Sequence, residues 1–87
     1  MQFAKLSAPT LKELFVKELE SMILSGRLPV GTQLPPEREL ADTMQVSRAV
    51  VNAGVVELQR KGCLVIRPRI GTFVADYRRD GTIETFQ

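Results

Sequence analysis

The chain has 87 residues, 44% of them hydrophobic, with one cysteine, no histidine and a formal net charge of +2. That length makes one small domain with a modest core, and the lack of histidine excludes imidazole-based zinc sites and histidine acid–base chemistry. A lone cysteine excludes an internal disulfide, no apolar run nears the ~20 residues that span a bilayer, and the N-terminus lacks a signal-peptide core, so a cytoplasmic protein is expected.

Residues 1–9 read as an N-terminal arm. Thr10 is a candidate cap for a first helix running to about Ser25, with Leu11, Leu14, Phe15, Leu19, Met22 and Ile23 expected on its core-facing stripe. Lys12, Glu13, Lys17, Glu18 and Glu20 form its polar face, read as solvated, and Gly26 stops it. A loop with Pro29 and Gly31 then leads to a short extended piece ending at Leu34.

Residues 34–58 carry the organising pattern. Pro35 and Pro36 can open a second helix, since proline's fixed φ suits a first turn and its missing N–H would be unpaired there. Glu37 and Glu39 follow at the positive end of that helix, and Leu40, Ala41 and Met44 share its apolar face. The turn Met44-Gln45-Val46 is too short for a strand, and Ser47 is a good N-cap for a third helix, to about Lys61. There Val51, Val55 and Leu58 recur at helical spacing, and Gly54 on the same side permits close helix approach. Arg48, Ala49, Asn52 and Gln59 fall on the open face. The β-branched run Val50, Val51, Val55, Val56 also fits a strand; length, the serine cap and the Gly62 stop favour a helix.

Residues 63–67 read as a strand, 68–71 as a turn and 72–74 as a returning strand, with Ile66 and Phe73 expected in the core. Cys63, beside the apolar run Leu64-Val65-Ile66, reads as a buried structural thiol. The fold class is therefore mainly α with a small β-hairpin: a winged helix-turn-helix of three helices and a two-stranded wing, over residues 10–75. Residues 76–87 are polar and read as a linker.

From Arg27 to Gly71 there are seven basic residues against four acidic ones, placed at helix ends and in the hairpin, which suits phosphate contacts more than the net charge does. Arg48, one residue past the cap of the third helix, stands where side chains meet base edges, and arginine to guanine is the commonest specific contact. Ser47 caps that helix, binds a phosphate, or alternates between the two. Asn52 can pair with adenine through N6 and N7, or is an idle polar group. Ala49 and Val50 have no hydroxyl for phosphate but can touch a thymine methyl. In the wing, Arg67 and Arg69 can enter the minor groove or grip a phosphate, or are solvated hairpin charges, and Gly71 permits the turn.

Gly26, Pro29 to Thr32, Leu34 to Ala41, Val46-Ser47-Arg48, Gly62 and Gly71 to Val74, in that order and spacing, resemble the N-terminal domain of GntR-family bacterial transcription regulators. The resemblance covers about residues 10–74. It implies a sequence-specific double-stranded DNA-binding domain with no cofactor of its own. It further implies a homodimer on an inverted-repeat operator, with a small-molecule effector bound by a C-terminal domain absent from this chain. It assigns Arg38 to a position that reaches DNA, to hold a phosphate or take a guanine; the alternative is a surface salt bridge with Glu37, Glu39 or Asp42. The run from Asp76 to Gly81 is similar to the linker of the fatty-acid-regulator-like subfamily. Two positions depart from the family: Asn52 stands where arginine is usual, and Arg69 where glycine is commoner. The competing function is a winged-helix module that binds protein instead of DNA. An enzyme has no support in the pattern, with neither a paired-carboxylate site nor a phosphate-cradling glycine loop.

Overall fold

Thr10 starts the first helix through a reciprocal pair of hydrogen bonds. The Glu13 N–H donates to Thr10 Oγ1 over 3.1 Å, and the Thr10 N–H donates to Glu13 Oε1 over 2.9 Å. In this computed structural model, which describes residues 8–76, five elements follow: α1 (Leu11–Leu24), α2 (Glu37–Met44), α3 (Arg48–Arg60), β1 (Leu64–Arg67) and β2 (Gly71–Val74). The linker run from Tyr77 onward, including Arg78 and Arg79, lies outside the described residues.

The buried face of α1 is rotated from the expected stripe. Phe15, Val16, Leu19 and Ile23 are buried, whereas Leu11 is 55% and Leu14 49% exposed. Val16 takes their place because α1 meets α3 on that side. Lys12 Nζ lies 3.9 Å from Glu57, and Lys61 Nζ 3.4 Å from Glu20, so two groups of the supposedly solvated face in fact pair across the helices.

Gly54 sets how closely the two helices approach. A Cβ built there would lie well inside van der Waals contact with the Phe15 ring, and both residues are buried. The ring occupies the volume that a side chain on α3 would fill.

Pro35 and Pro36 precede α2 and do not enter it: Pro36 is the N-cap, at ψ 155, and its carbonyl accepts from the Leu40 N–H. Met44 ends α2, and Gln45 turns the chain in the left-handed region at φ 57. Its side chain donates back to the Asp42 carbonyl, which closes the turn. Ser47 then accepts from the Val50 N–H over 3.1 Å to begin α3. The β-branched α3 is held as a helix by packing: Val51 and Leu58 are 0% exposed and Val55 is 5% exposed. Lys61 caps it and Gly62, at φ 86, releases the chain.

The wing pairs antiparallel, with Leu64 opposite Val74 and Arg67 opposite Gly71. Ile66, expected in the core, is 40% exposed, because the outer half of β1 projects beyond the helices. Phe73 is half-buried. A third strand-like segment flanks the hairpin. Gly31 and Leu34 donate to the Val74 and Thr72 carbonyls, and Val74 donates to Thr32, each over 2.8 Å. The extended piece before α2 is thereby stitched to β2.

Cys63 is buried, and burial foremost, then Glu20, push its thiol above the ordinary value, against an opposing pull from Lys61. It stays protonated at neutral pH and belongs to the core.

Gly54→Ala is expected to lower stability by about 1–3 kcal/mol through overpacking on Phe15, although alanine gains about 1 kcal/mol in helix propensity. Urea unfolding of Gly54→Ala, with Gly54→Ala/Phe15→Leu recovering part of the loss, checks this. Ser47→Ala should cost about 1 kcal/mol by loss of the cap.

Candidate nucleic-acid interface

Three pieces converge on one side of the domain: the start of α2, the first half of α3 and the tip of the wing. Asn52 Nδ2 donates to Glu37 Oε2 over 2.9 Å, joining α3 to the first residue of α2. Gln33 Nε2 donates to the Ile70 carbonyl over 3.0 Å, joining the approach to α2 with the wing tip. Between them lies a cleft of about 280 Å³, lined by Gln33, Pro36, Glu37, Val55, Ile70 and Gly71 among others. Arg38 follows Glu37 on α2, and Arg48 opens α3 beside its N-cap, Ser47.

Arg38, Ser47, Arg48, Ala49, Asn52, Arg67 and Arg69 are all exposed, and Gly71 is half-buried. Arg38 forms none of the salt bridges with Glu37, Glu39 or Asp42 that its sequence neighbours offered. Among the described residues, the cations with carboxylate partners are Lys12, Arg60 and Lys61, on α1 and at the end of α3. The four arginines of the motif and wing have no such partner there. Their guanidinium groups keep their full donor set for an outside anion. Ser47 Oγ is engaged by the Val50 N–H but retains its own hydrogen to donate. The Asn52 amide is held by Glu37.

The wing tip shows why glycine suits position 69. Arg69 has φ 67, in the left-handed region that costs an ordinary side chain about 1–2 kcal/mol. Gly71, at φ 147, lies directly beneath the Gln33 amide, and a Cβ there would collide with Nε2. Ile70 is 63% exposed between them.

Sequence reasoning missed Gln33, Glu37 as a partner of Asn52, and the exposed Ile70. Gln33 carries no periodic signal, and its bond to Ile70 spans 37 positions. From the sequence, Glu37 reads as a helix-start carboxylate and an ion-pair candidate for Arg38, not as a partner of Asn52. Hydrophobicity alone had no means of marking Ile70 as exposed.

Arg69→Gly should stabilise the domain by about 1 kcal/mol, because it relieves the left-handed backbone. It should also reduce by about one unit the slope of log affinity against log salt for duplex DNA. Thermal unfolding and a salt-dependent binding series on the same protein check both effects.

A family model described as "Bacterial regulatory proteins, gntR family" matches residues 11–74. The "HTH-type transcriptional regulator Rv0792c" of Mycobacterium tuberculosis is 45% identical over 76 residues, covering 87% of this chain and 28% of its own length. Among solved structures, "Streptococcus agalactiae GntR" is 31% identical at a TM-score of 0.68, covering 77% of this chain and 33% of that one. "AraR(DBD) in complex with operator ORR3" is 27% identical at a TM-score of 0.72, covering 86% of this chain and 93% of that one. The chain spans about a quarter of the length of the curated relatives it matches. With 64 consecutive residues from α1 through β2 matched by the family model, the chain belongs to the gntR family of bacterial regulatory proteins.

Proposed function

We propose that this chain is the sequence-specific double-stranded DNA-binding domain of a bacterial transcription regulator, and that it is not an enzyme. The observation that carries this reading is the set of exposed arginines, Arg38, Arg48, Arg67 and Arg69, without carboxylate partners among the described residues. Two of them stand at helix starts and two on the wing. The AraR(DBD) structure with operator DNA, which this chain matches over most of both lengths, supports it.

In this reading the first turns of α3 enter the major groove. Arg48 takes a guanine through O6 and N7, Asn52 faces an adenine, and Ala49 lies against a thymine methyl. Arg38 holds the flanking backbone or a second guanine. Ser47 donates to a phosphate while its oxygen caps the helix. Arg67 and Arg69 extend from the wing to the minor groove or its phosphates, with Gly71 shaping the turn. The positive end of α3 adds to the phosphate grip.

The larger regulator would sit in the cytoplasm and act as a homodimer on an inverted repeat. A further domain, reached through a linker from residue 76, would carry the small-molecule effector site. The greater length of the relatives supports such a domain. Among the described residues no helix is long and apolar enough to cross a membrane.

Selection of bound duplexes from a random pool tests the reading. An enriched half-site establishes sequence-specific binding, while no retained DNA at low salt refutes it and leaves a protein-docking module. Binding should weaken steeply with salt, with a slope of roughly −3 to −4 if about four phosphates are neutralised. Arg48→Ala should cost about 1–3 kcal/mol on the selected site and much less on unrelated duplex, as measured by competitive titration.

A further inference from the structure

Asn52 and Glu37 come from different helices, and their side chains meet beside the cleft that separates the helix-turn-helix from the wing. We propose that Glu37 is a positioning residue for base reading. Its carboxylate locks the Asn52 amide in one orientation, and that orientation makes Asn52 select adenine over guanine. The proposal rests on the reading of α3 as the helix in the major groove.

A carboxamide is nearly symmetrical in shape, and a half turn about its last torsion exchanges donor and acceptor. A free asparagine therefore offers a base either order. Beside Glu37 the choice is fixed. Asn52 Nδ2 lies 2.9 Å from Glu37 Oε2, and in the reversed form two oxygens would face each other with no hydrogen between them.

The amide nitrogen carries two hydrogens, of which Glu37 engages one. The other, with Oδ1, remains as an adjoining donor and acceptor on an exposed residue. That couple matches the N7 acceptor and N6 donor of adenine. Guanine presents two acceptors, N7 and O6, and one of them meets Oδ1 in either order of the amide; only an amide free to turn both Nδ2 hydrogens to the base serves it, and the bond to Glu37 withholds one of them. Glu37 is half-buried in the first turn of α2, where the helix end favours its negative charge. That charge, fixed near the groove, opposes the guanine acceptors further.

The test is duplex selection from one random pool with the wild-type chain, Glu37→Ala, Glu37→Gln and Asn52→Ala, each shown to be folded by circular dichroism. The wild type should enrich adenine over guanine at one half-site position by about 5- to 150-fold, the range for a bidentate contact. Asn52→Ala should abolish the preference at that position alone. Glu37→Ala should cut it by about threefold or more and admit guanine there, with the other positions unchanged, since only one amide contact is disordered. Glu37→Gln should restore most of it, because the glutamine Oε1 still accepts from Nδ2. Should Glu37→Ala not fold, Glu37→Ser, too short to reach the amide, takes its place.

If Asn52→Ala loses the adenine preference while the shortened Glu37 variant keeps it, the positioning role is overturned. A loss spread evenly over all positions overturns it as well, by making Glu37 a general support of α2. If no protein enriches any sequence, or Asn52→Ala changes no position, the underlying reading of α3 has failed.

Discussion

The backbone ladder between residues 31–34 and β2 is the constraint on which the candidate interface depends. Three hydrogen bonds of 2.8 Å fasten the approach to α2 onto the wing, and a fourth bond, from Gln33, reaches the wing tip itself. A two-stranded hairpin alone is marginal in water, and a third extended segment makes it a small sheet. The same segment runs directly into Pro35 and Pro36, whose stiff backbone passes the position of the sheet to the first residue of α2. From there Glu37 holds Asn52 on α3. Wing, α2 and α3 thus form one connected frame.

Behind this frame, α1 supplies bulk and no visible recognition. Phe15, Val16, Leu19 and Ile23 pack against Val51, Val55 and Leu58, and the Phe15 ring fills the notch left by Gly54. Among the described residues the ion pairs cluster on this side too, two joining α1 to the end of α3 and one within α3. Such exposed pairs contribute little to stability. Their placement matters more, because it neutralises cations away from the interface and leaves the arginines of the motif and wing free to take an anion. Charge is thereby concentrated on one side of a chain whose net charge is only +2.

Much of the architecture was legible in the sequence because local chemistry and packing agree there. Thr10, Ser47, Gly26 and Gly62 mark helix ends by capping rules, and the spacing of Val51, Val55 and Leu58 outweighed the strand preference of their β-branched side chains. The failures share one cause. Leu11, Leu14 and Ile66 have core chemistry, but whether they are buried depends on where neighbouring elements end, and periodicity carries no such information. The Asn52–Glu37 bond and the bond from the Gln33 side chain to the Ile70 carbonyl join segments far apart in the sequence, which no local pattern pairs. The left-handed Arg69 explains a departure that the sequence could only register: the turn geometry asks for glycine, and the chain places a cation there instead.

On the proposed reading, DNA meets the side formed by the start of α2, the first turns of α3 and the wing tip. Mapping backbone amide shifts while duplex DNA is added at low salt tests it most directly. The perturbed amides are then expected at residues 37–39, 47–52, 67 and 69–71, with α1 nearly silent. Perturbations centred on α1, or on the exposed Leu24 and Val30, would contradict it.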